Sequence, residues 1–216
     1  MSSSRIWDFW SRHYERLWVQ KWSLKPTREA VMADLKRLYQ ENAVFTLLDA
    51  GCGVGELLEE IHAAFPKARI YGLDYSAGMT KKARKRVPEG FICHQAVEEL
   101  EAIKQTGFPE VFDLILCTHS FPYYKDQERV LQLFHQRLAS GGRLFLAFAS
   151  ASTFYDRRIM PLVKLTTGNA SYPPVAKLRR MAADLFVTEK EENAAKHFWM
   201  PTLLFTIMRK NEETDS

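Results

Sequence analysis

Cysteine is scarce in this chain and forms no pattern. Only three occur, Cys52, Cys93 and Cys117, an odd number with no CxxC spacing. Neither a disulfide framework nor a zinc site is expected, and no other metal centre is suggested. Each cysteine lies at or just after an apolar run, where a small buried hydrophobe in a reducing compartment is the expected reading. Long apolar runs are missing too. The longest uncharged stretches, such as Leu144–Tyr155, fall short of the ~18 residues that suggest a membrane span. The opening residues, Met1 to Asp8, are polar and charged where a signal peptide needs an apolar core. A cytoplasmic location without stable membrane insertion is therefore expected. Extended blocks of one charge are also lacking: Lys+Arg number 30 against 26 Asp+Glu, for a net charge of +4. The densest basic stretch, Lys81-Lys82-Ala83-Arg84-Lys85-Arg86, falls on an expected surface helix, so nucleic acid is not the expected partner. There is no internal repeat and no low-complexity linker.

What is present suits one α/β domain. The 216 residues are 46% hydrophobic and 26% charged, enough for a substantial single core. Residues 4–22 carry Ile6, Trp7, Trp10, Tyr14, Leu17 and Trp18 at helical spacing, and a second helix over about 26–41 opens with Pro26. From residue 44 the pattern alternates between two periods. Strands are expected at Val44–Asp49, Ala68–Leu73, Phe91–His94, Val111–Cys117 and Arg143–Ala149. Helices are expected at Leu57–Ala64, Ala77–Arg86 and Asp126–Leu138, the last closed by Gly141-Gly142. Buried strands separated by helices imply a parallel sheet covered on both faces. The tail departs from this rhythm. After a helix near Pro174–Asp184, Leu185–Lys190 and Phe198–Met208 are joined without a helix, which implies an antiparallel hairpin at the sheet edge. Residues 1–42 are expected to form a helical cap or lid and 43–216 the sheet domain, with 151–173 as an insert capping the substrate.

The most informative segment is Leu47-Leu48-Asp49-Ala50-Gly51-Cys52-Gly53-Val54-Gly55-Glu56. A strand ends in a glycine turn that opens a helix, so a ligand can approach the backbone closely and meet free N–H groups. Asp74 ends the next strand about 20 residues later, where a carboxylate can take both hydroxyls of a ribose. The order strand, glycines, helix, strand, terminal acid resembles the class I S-adenosylmethionine-dependent methyltransferases over about residues 44–210. The resemblance implies a Rossmann-like α/β fold with the terminal hairpin, and S-adenosylmethionine as cofactor. By that resemblance Asp49 sits near the methionyl amine and Gly51, Gly53 and Gly55 pass under the cofactor. Asp74 holds the ribose, Tyr75 and Met79 flank the adenine, and the Cys117 backbone borders the methionine. Many members carry an acid for the adenine amine in a Gly-Asp-Ala-Glu pattern. Here the chain reads Gln95-Ala96-Val97-Glu98-Glu99, with Ala96 at the acidic position, leaving the Val97 backbone or Glu98 for that role.

Ligands of open α/β sheets bind beyond the carboxyl ends of the strands. The expected fourth strand delivers Cys117-Thr118-His119-Ser120-Phe121-Pro122-Tyr123-Tyr124 to that edge. His119 is the expected general base for acceptors that must lose a proton, since imidazole titrates near neutrality. Trp10, Tyr123, Tyr124, Tyr155 and Arg158 are expected to wall the acceptor pocket. Tyr14 matches a family tyrosine that touches the cofactor carboxylate. The insert is loosely similar to that of the ubiquinone/menaquinone methyltransferase branch, without a residue run that fixes a quinone substrate. The expected partner is a small, apolar or aromatic methyl acceptor, and the chain a monomer or homodimer. Two alternatives stand beside this reading: an NAD(P)-dependent oxidoreductase, disfavoured by GxGxG and the hairpin, and a non-catalytic methyltransferase-like partner subunit.

Overall fold

The computed structural model describes residues 23–103, 107–158, 160, 170–197 and 199–212. The expected first helix, residues 4–22, lies outside them. Helix α1 runs Lys25–Leu38 with Pro26 in its first turn. Then follow β1 (Thr46–Ala50), α2 (Glu56–Ala64), β2 (Arg69–Asp74), α3 (Ala77–Arg86), β3 (Phe91–His94) and β4 (Phe112–Thr118). Next come α4 (Gln127–Arg137), β5 (Leu138–Ala149), α5 (Val175–Ala182), β6 (Phe186–Asn193) and β7 (Leu203–Lys210). The seven strands form one sheet in the order β3-β2-β1-β4-β5-β7-β6. β1 to β5 are parallel, and β7 runs antiparallel between β5 and β6. The strands with glycine turns and terminal acids therefore all end at one edge, with the order reversing between β1 and β4. That is where an α/β sheet opens a crevice. Among the described residues no helix is long and apolar enough to cross a membrane.

One boundary is corrected. The helix expected to close at Gly141-Gly142 ends at Arg137, and Asp126 caps its start by accepting from the Arg129 N–H at 2.9 Å. β5 begins at Leu138 and bulges at once, since Phe112 of β4 faces Leu138 while Leu114 faces Arg143. The glycines serve that bulge: Gly141 has φ +68, and a Cβ at Gly142 would meet the Ala139 carbonyl at 2.9 Å.

Two apolar layers cover the sheet. One joins Leu48, Ile115, Leu144 and Phe148 to Phe121, Phe134 of α4 and Leu178 of α5. The other joins Leu47, Leu114, Phe145 and Phe205 to Leu58 and Ile61 of α2, Ala83 of α3 and Val31 and Leu35 of α1. Helix α1 is held at both ends as well as along its apolar stripe. Near its start Arg28 pairs with Glu56 at 2.7 Å and Glu60 at 2.9 Å, both on α2. Farther along, the buried Asp34 carboxylate takes Lys190 of β6 at 2.6 Å and Arg37 at 2.7 Å. Residues 25–38 thus share one core with the sheet.

Leu35 is fully buried in α1. Leu35→Ala should cost about 2–5 kcal/mol and lower the melting temperature by roughly 5–15 °C in calorimetry. An unchanged melting temperature would mean that α1 is not packed on the sheet.

Candidate functional site

The turn after β1 is held from below. The N–H groups of Gly51 and Cys52 both donate to the Leu73 carbonyl of β2, at 2.8 and 2.9 Å. Gly51, Gly53 and Gly55 all adopt positive φ, at 92°, 55° and 81°. Their surroundings differ. A Cβ on Gly51 would lie 2.4 Å from Ser120 Cβ, and one on Gly55 would press on Ala83 of α3 at 3.1 Å. Only at Gly53 would a Cβ meet nothing within 4 Å. Gly51 and Gly55 thus let the turn pack against its neighbours, and Gly53 keeps the space above it open. Gly55 caps α2 without a side-chain hydrogen bond, leaving the first amides of that helix without a side-chain partner from their cap.

Two carboxylates frame this space. Asp74, ending β2, accepts from the Gly53 N–H at 3.0 Å on one oxygen and from the Ser76 N–H at 2.8 Å on the other. Both Asp74 oxygens are thus turned toward the backbone of the turn. Asp49 differs: it is buried, and its Oδ1 has no hydrogen-bond partner among the described residues. Burial, and then the charge of Asp74, push its pKa up to about 7. The same surroundings push the neighbouring Cys52 thiol well above its ordinary range, burial contributing most. An orphaned buried carboxylate beside an open glycine turn is the complement of a cationic group. These residues fit the amino acid and ribose portions of S-adenosylmethionine.

On the β2–β3 side, Tyr75 is half-buried and its carbonyl accepts from His94 Nε2 at 2.9 Å. Met79 is buried at the start of α3, where its N–H donates to Ser76 Oγ at 3.2 Å. The Val97 side chain belongs to the core, and Glu98 is exposed at the start of a 3-10 turn, Val97–Ala102.

Beyond β4, the buried Cys117 thiol is pushed up to about 12, chiefly by burial, and does not serve as a thiolate. His119 holds a positive φ of 63° and donates its N–H to the Ala147 carbonyl of β5 at 2.6 Å. Histidine is among the few non-glycine residues enriched there, and such outliers cluster at functional sites. Burial, and then the charge of Arg28, push its imidazole down to about 4. Ser120 Oγ donates to the Ala50 carbonyl at 2.7 Å, and the Tyr124 hydroxyl lies 3.1 Å from that carbonyl and 3.0 Å from Ser120 Oγ. This corrects Tyr124: expected as a pocket wall, it is buried and spent on bracing the end of β1. Tyr123 remains half-buried at the edge.

The segment after β5 sits at the same edge and is helical at 154–158. Tyr155 is exposed and donates to the Trp199 carbonyl at 2.5 Å, and Arg158 lies 4.8 Å from the centre of the Phe154 ring. Their anchor is Asp156, which the sequence did not single out. It accepts from the Thr153 N–H at 2.7 Å, the Thr202 N–H at 2.8 Å and the Thr202 hydroxyl at 2.8 Å. Burial pushes its carboxyl up, but those bonds more than offset this and hold it below the ordinary value. An acid preceded by Thr three residues earlier is a capping signal that could have found it. Trp10 and Tyr14 lie outside the described residues.

The sequence model of a family described as a methyltransferase domain matches residues 48–144. The malonyl-[acyl-carrier protein] O-methyltransferase of Bacillus anthracis is 28% identical over 135 residues, 61% of this chain and 48% of that protein. The trans-aconitate 2-methyltransferase of Deinococcus radiodurans is 31% identical over 121 residues, 56% of this chain and 44% of that protein. The chain spans about half the length of these curated relatives. Among solved structures, the magnesium protoporphyrin IX methyltransferase of Synechocystis PCC 6803 with bound SAH (S-adenosylhomocysteine) superposes with a TM-score of 0.67. It is 18% identical, with 86% of this chain and 82% of that one covered, a likeness of fold.

The site makes two predictions. A group whose folded pKa is raised is stabilising below its ordinary value, and that contribution is lost as pH rises through the folded pKa, here about 7 for Asp49. An ammonium ligand favours the ionised form, so S-adenosylhomocysteine should bind with proton release near pH 6 and lose affinity as pH falls below 7. Calorimetry in buffers of different ionisation enthalpy reads this, and Asp49→Asn should abolish it. The glycines should separate likewise. Gly51→Ala, clashing with Ser120, should cost about 1–3 kcal/mol of stability. Gly53→Ala should cost roughly 1 kcal/mol for its positive φ but weaken S-adenosylhomocysteine binding at least tenfold. Equal losses of stability and equal affinities would contradict this division.

Proposed function

Because the chain belongs to the class I S-adenosylmethionine-dependent methyltransferases, we propose that it methylates a small acceptor with an apolar or aromatic body. The observation that carries this reading is the half-buried, uncharged imidazole of His119, one residue beyond β4 at the edge where the glycine turn opens. S-adenosylmethionine supplies an activated methyl on a sulfonium, a good leaving group. The chain supplies position and charge. Asp49 meets the cationic amino group, Asp74 the ribose hydroxyls, and the turn around Gly53 the adjoining backbone of the ligand. Holding the acceptor in line accounts for much of the rate, and a base is required only where the acceptor must lose a proton. His119 is neutral above about pH 4, so its ring lone pair is free throughout the physiological range, while the burial that keeps it neutral also makes it a weak base. Tyr123, Phe154 and Tyr155 offer aromatic surface at the same edge, and the chain works on a diffusible molecule as a monomer or homodimer.

A second acceptor class is favoured by a specific observation. Arg157 and Arg158 are exposed and make no ion pair among the described residues. The names of the two relatives carry acids, a malonyl group and trans-aconitate. A small carboxylic acid fits such cations, and an ionised carboxylate needs no base.

Incubation of the full chain with S-adenosylmethionine and a panel of hydroquinone, catechol, trans-aconitate and a malonyl thioester, read by mass spectrometry for a gain of one CH2 unit, separates the two. Methylated phenols are expected, and His119→Asn should slow that transfer by about 100-fold or more. Carboxylate methylation indifferent to His119→Asn would select the second reading. A full rate on phenols with His119→Asn would remove His119 as the base.

A further inference from the structure

The α1 residue Thr27 touches the edge of the sheet. It is buried, 1% exposed, and its Oγ1 lies 2.8 Å from His119 Nε2, across 92 positions of sequence. The same oxygen is 2.9 Å from the Ser23 carbonyl, which can only accept. A threonine hydroxyl has one proton, and here it goes to Ser23. Oγ1 can then meet Nε2 only by accepting from it, so Nε2 carries the ring proton. Nδ1 is left with the lone pair.

We infer that Thr27 is a positioning residue that locks His119 in its Nε2–H tautomer and makes Nδ1 the nitrogen available to the acceptor. The inference rests on the reading of His119 as the base. In that step the acceptor's proton passes to Nδ1 and its lone pair forms the bond to the methyl carbon. The electron pair of the broken carbon–sulfur bond stays on sulfur. The imidazolium that results keeps Nε2–H on Thr27, so the contact survives the change of charge and the ring need not turn. The backbone contributes to the same end: His119 is fixed at positive φ by its bond to Ala147, and α1 is pinned by Arg28 to α2 and by Asp34 to β6. The three anchors put one hydroxyl and one imidazole in register.

The test is nitrogen NMR of the full chain with 15N-labelled histidine, using His119→Asn to assign the signal. Wild type should show the Nε2–H pattern. Thr27→Val, which keeps the shape and removes the acceptor, should shift it by at least half toward Nδ1–H, and Thr27→Ser should restore it. With hydroquinone as probe, Thr27→Val should lower kcat about tenfold with the KM for S-adenosylmethionine within twofold, and Thr27→Ser should recover it. An Nδ1–H pattern in wild type, or an unchanged Nε2–H pattern in Thr27→Val, would overturn the inference. Should Thr27→Val fail to fold, the wild-type and Thr27→Ser spectra decide it. A tautomer that shifts as described while His119→Asn transfers methyl at full rate would instead overturn the reading of His119 as base.

Discussion

Negative charge held in a poorly solvated turn is the constraint around which this edge of the molecule is built. Asp49 and Asp74 end neighbouring parallel strands, and each is made harder to ionise or easier to hold by what surrounds it. Asp74 receives two backbone N–H groups, one on each oxygen. Asp49 receives none on its shielded oxygen, and its proton leaves only near neutrality. A fold that needed only to close a βα turn could have placed an apolar residue at 49, with gain in stability. The retained carboxylate is costly in the empty turn and favourable once a cation lies against it.

The other features serve to keep that turn in one place. Leu73 takes two amides of the turn from below, and Ser120 takes the carbonyl at the end of β1, with the Tyr124 hydroxyl beside it. These link β1, β2 and the loop after β4 into one frame. Gly51 is glycine because Ser120 stands where its side chain would be. Helix α1 and the Asp156 cluster bring the ends of distant segments to the same edge, the first at His119 and the second at Tyr155 and Trp199.

Much of this was legible in the sequence because it rests on local rules. Periods of two and 3.6 residues marked most strands and helices within a few residues, and α3 spans the expected Ala77–Arg86. Glycines followed by a terminal acid marked the edge where the parallel strands end. What was not legible depends on long-range partners. Tyr124 looked like pocket wall because its sequence neighbours are loop-like, but its hydroxyl reaches Ala50, 74 positions away. The sequence pattern singled out neither Thr27 nor Asp34, whose partners His119 and Lys190 lie far along the chain. Gly141-Gly142 was read as a helix stop although the same residues serve a bulge, because both uses need the same backbone freedom.

We propose that the glycine turn and its two acids form an S-adenosylmethionine site and not a dinucleotide site. Isothermal calorimetry of the full chain against S-adenosylhomocysteine and against NAD, side by side at pH 7.5, tests it most directly. One S-adenosylhomocysteine per chain, with no heat from NAD beyond dilution, is the predicted result. Binding of NAD in place of S-adenosylhomocysteine, or of neither by a folded protein, would contradict it.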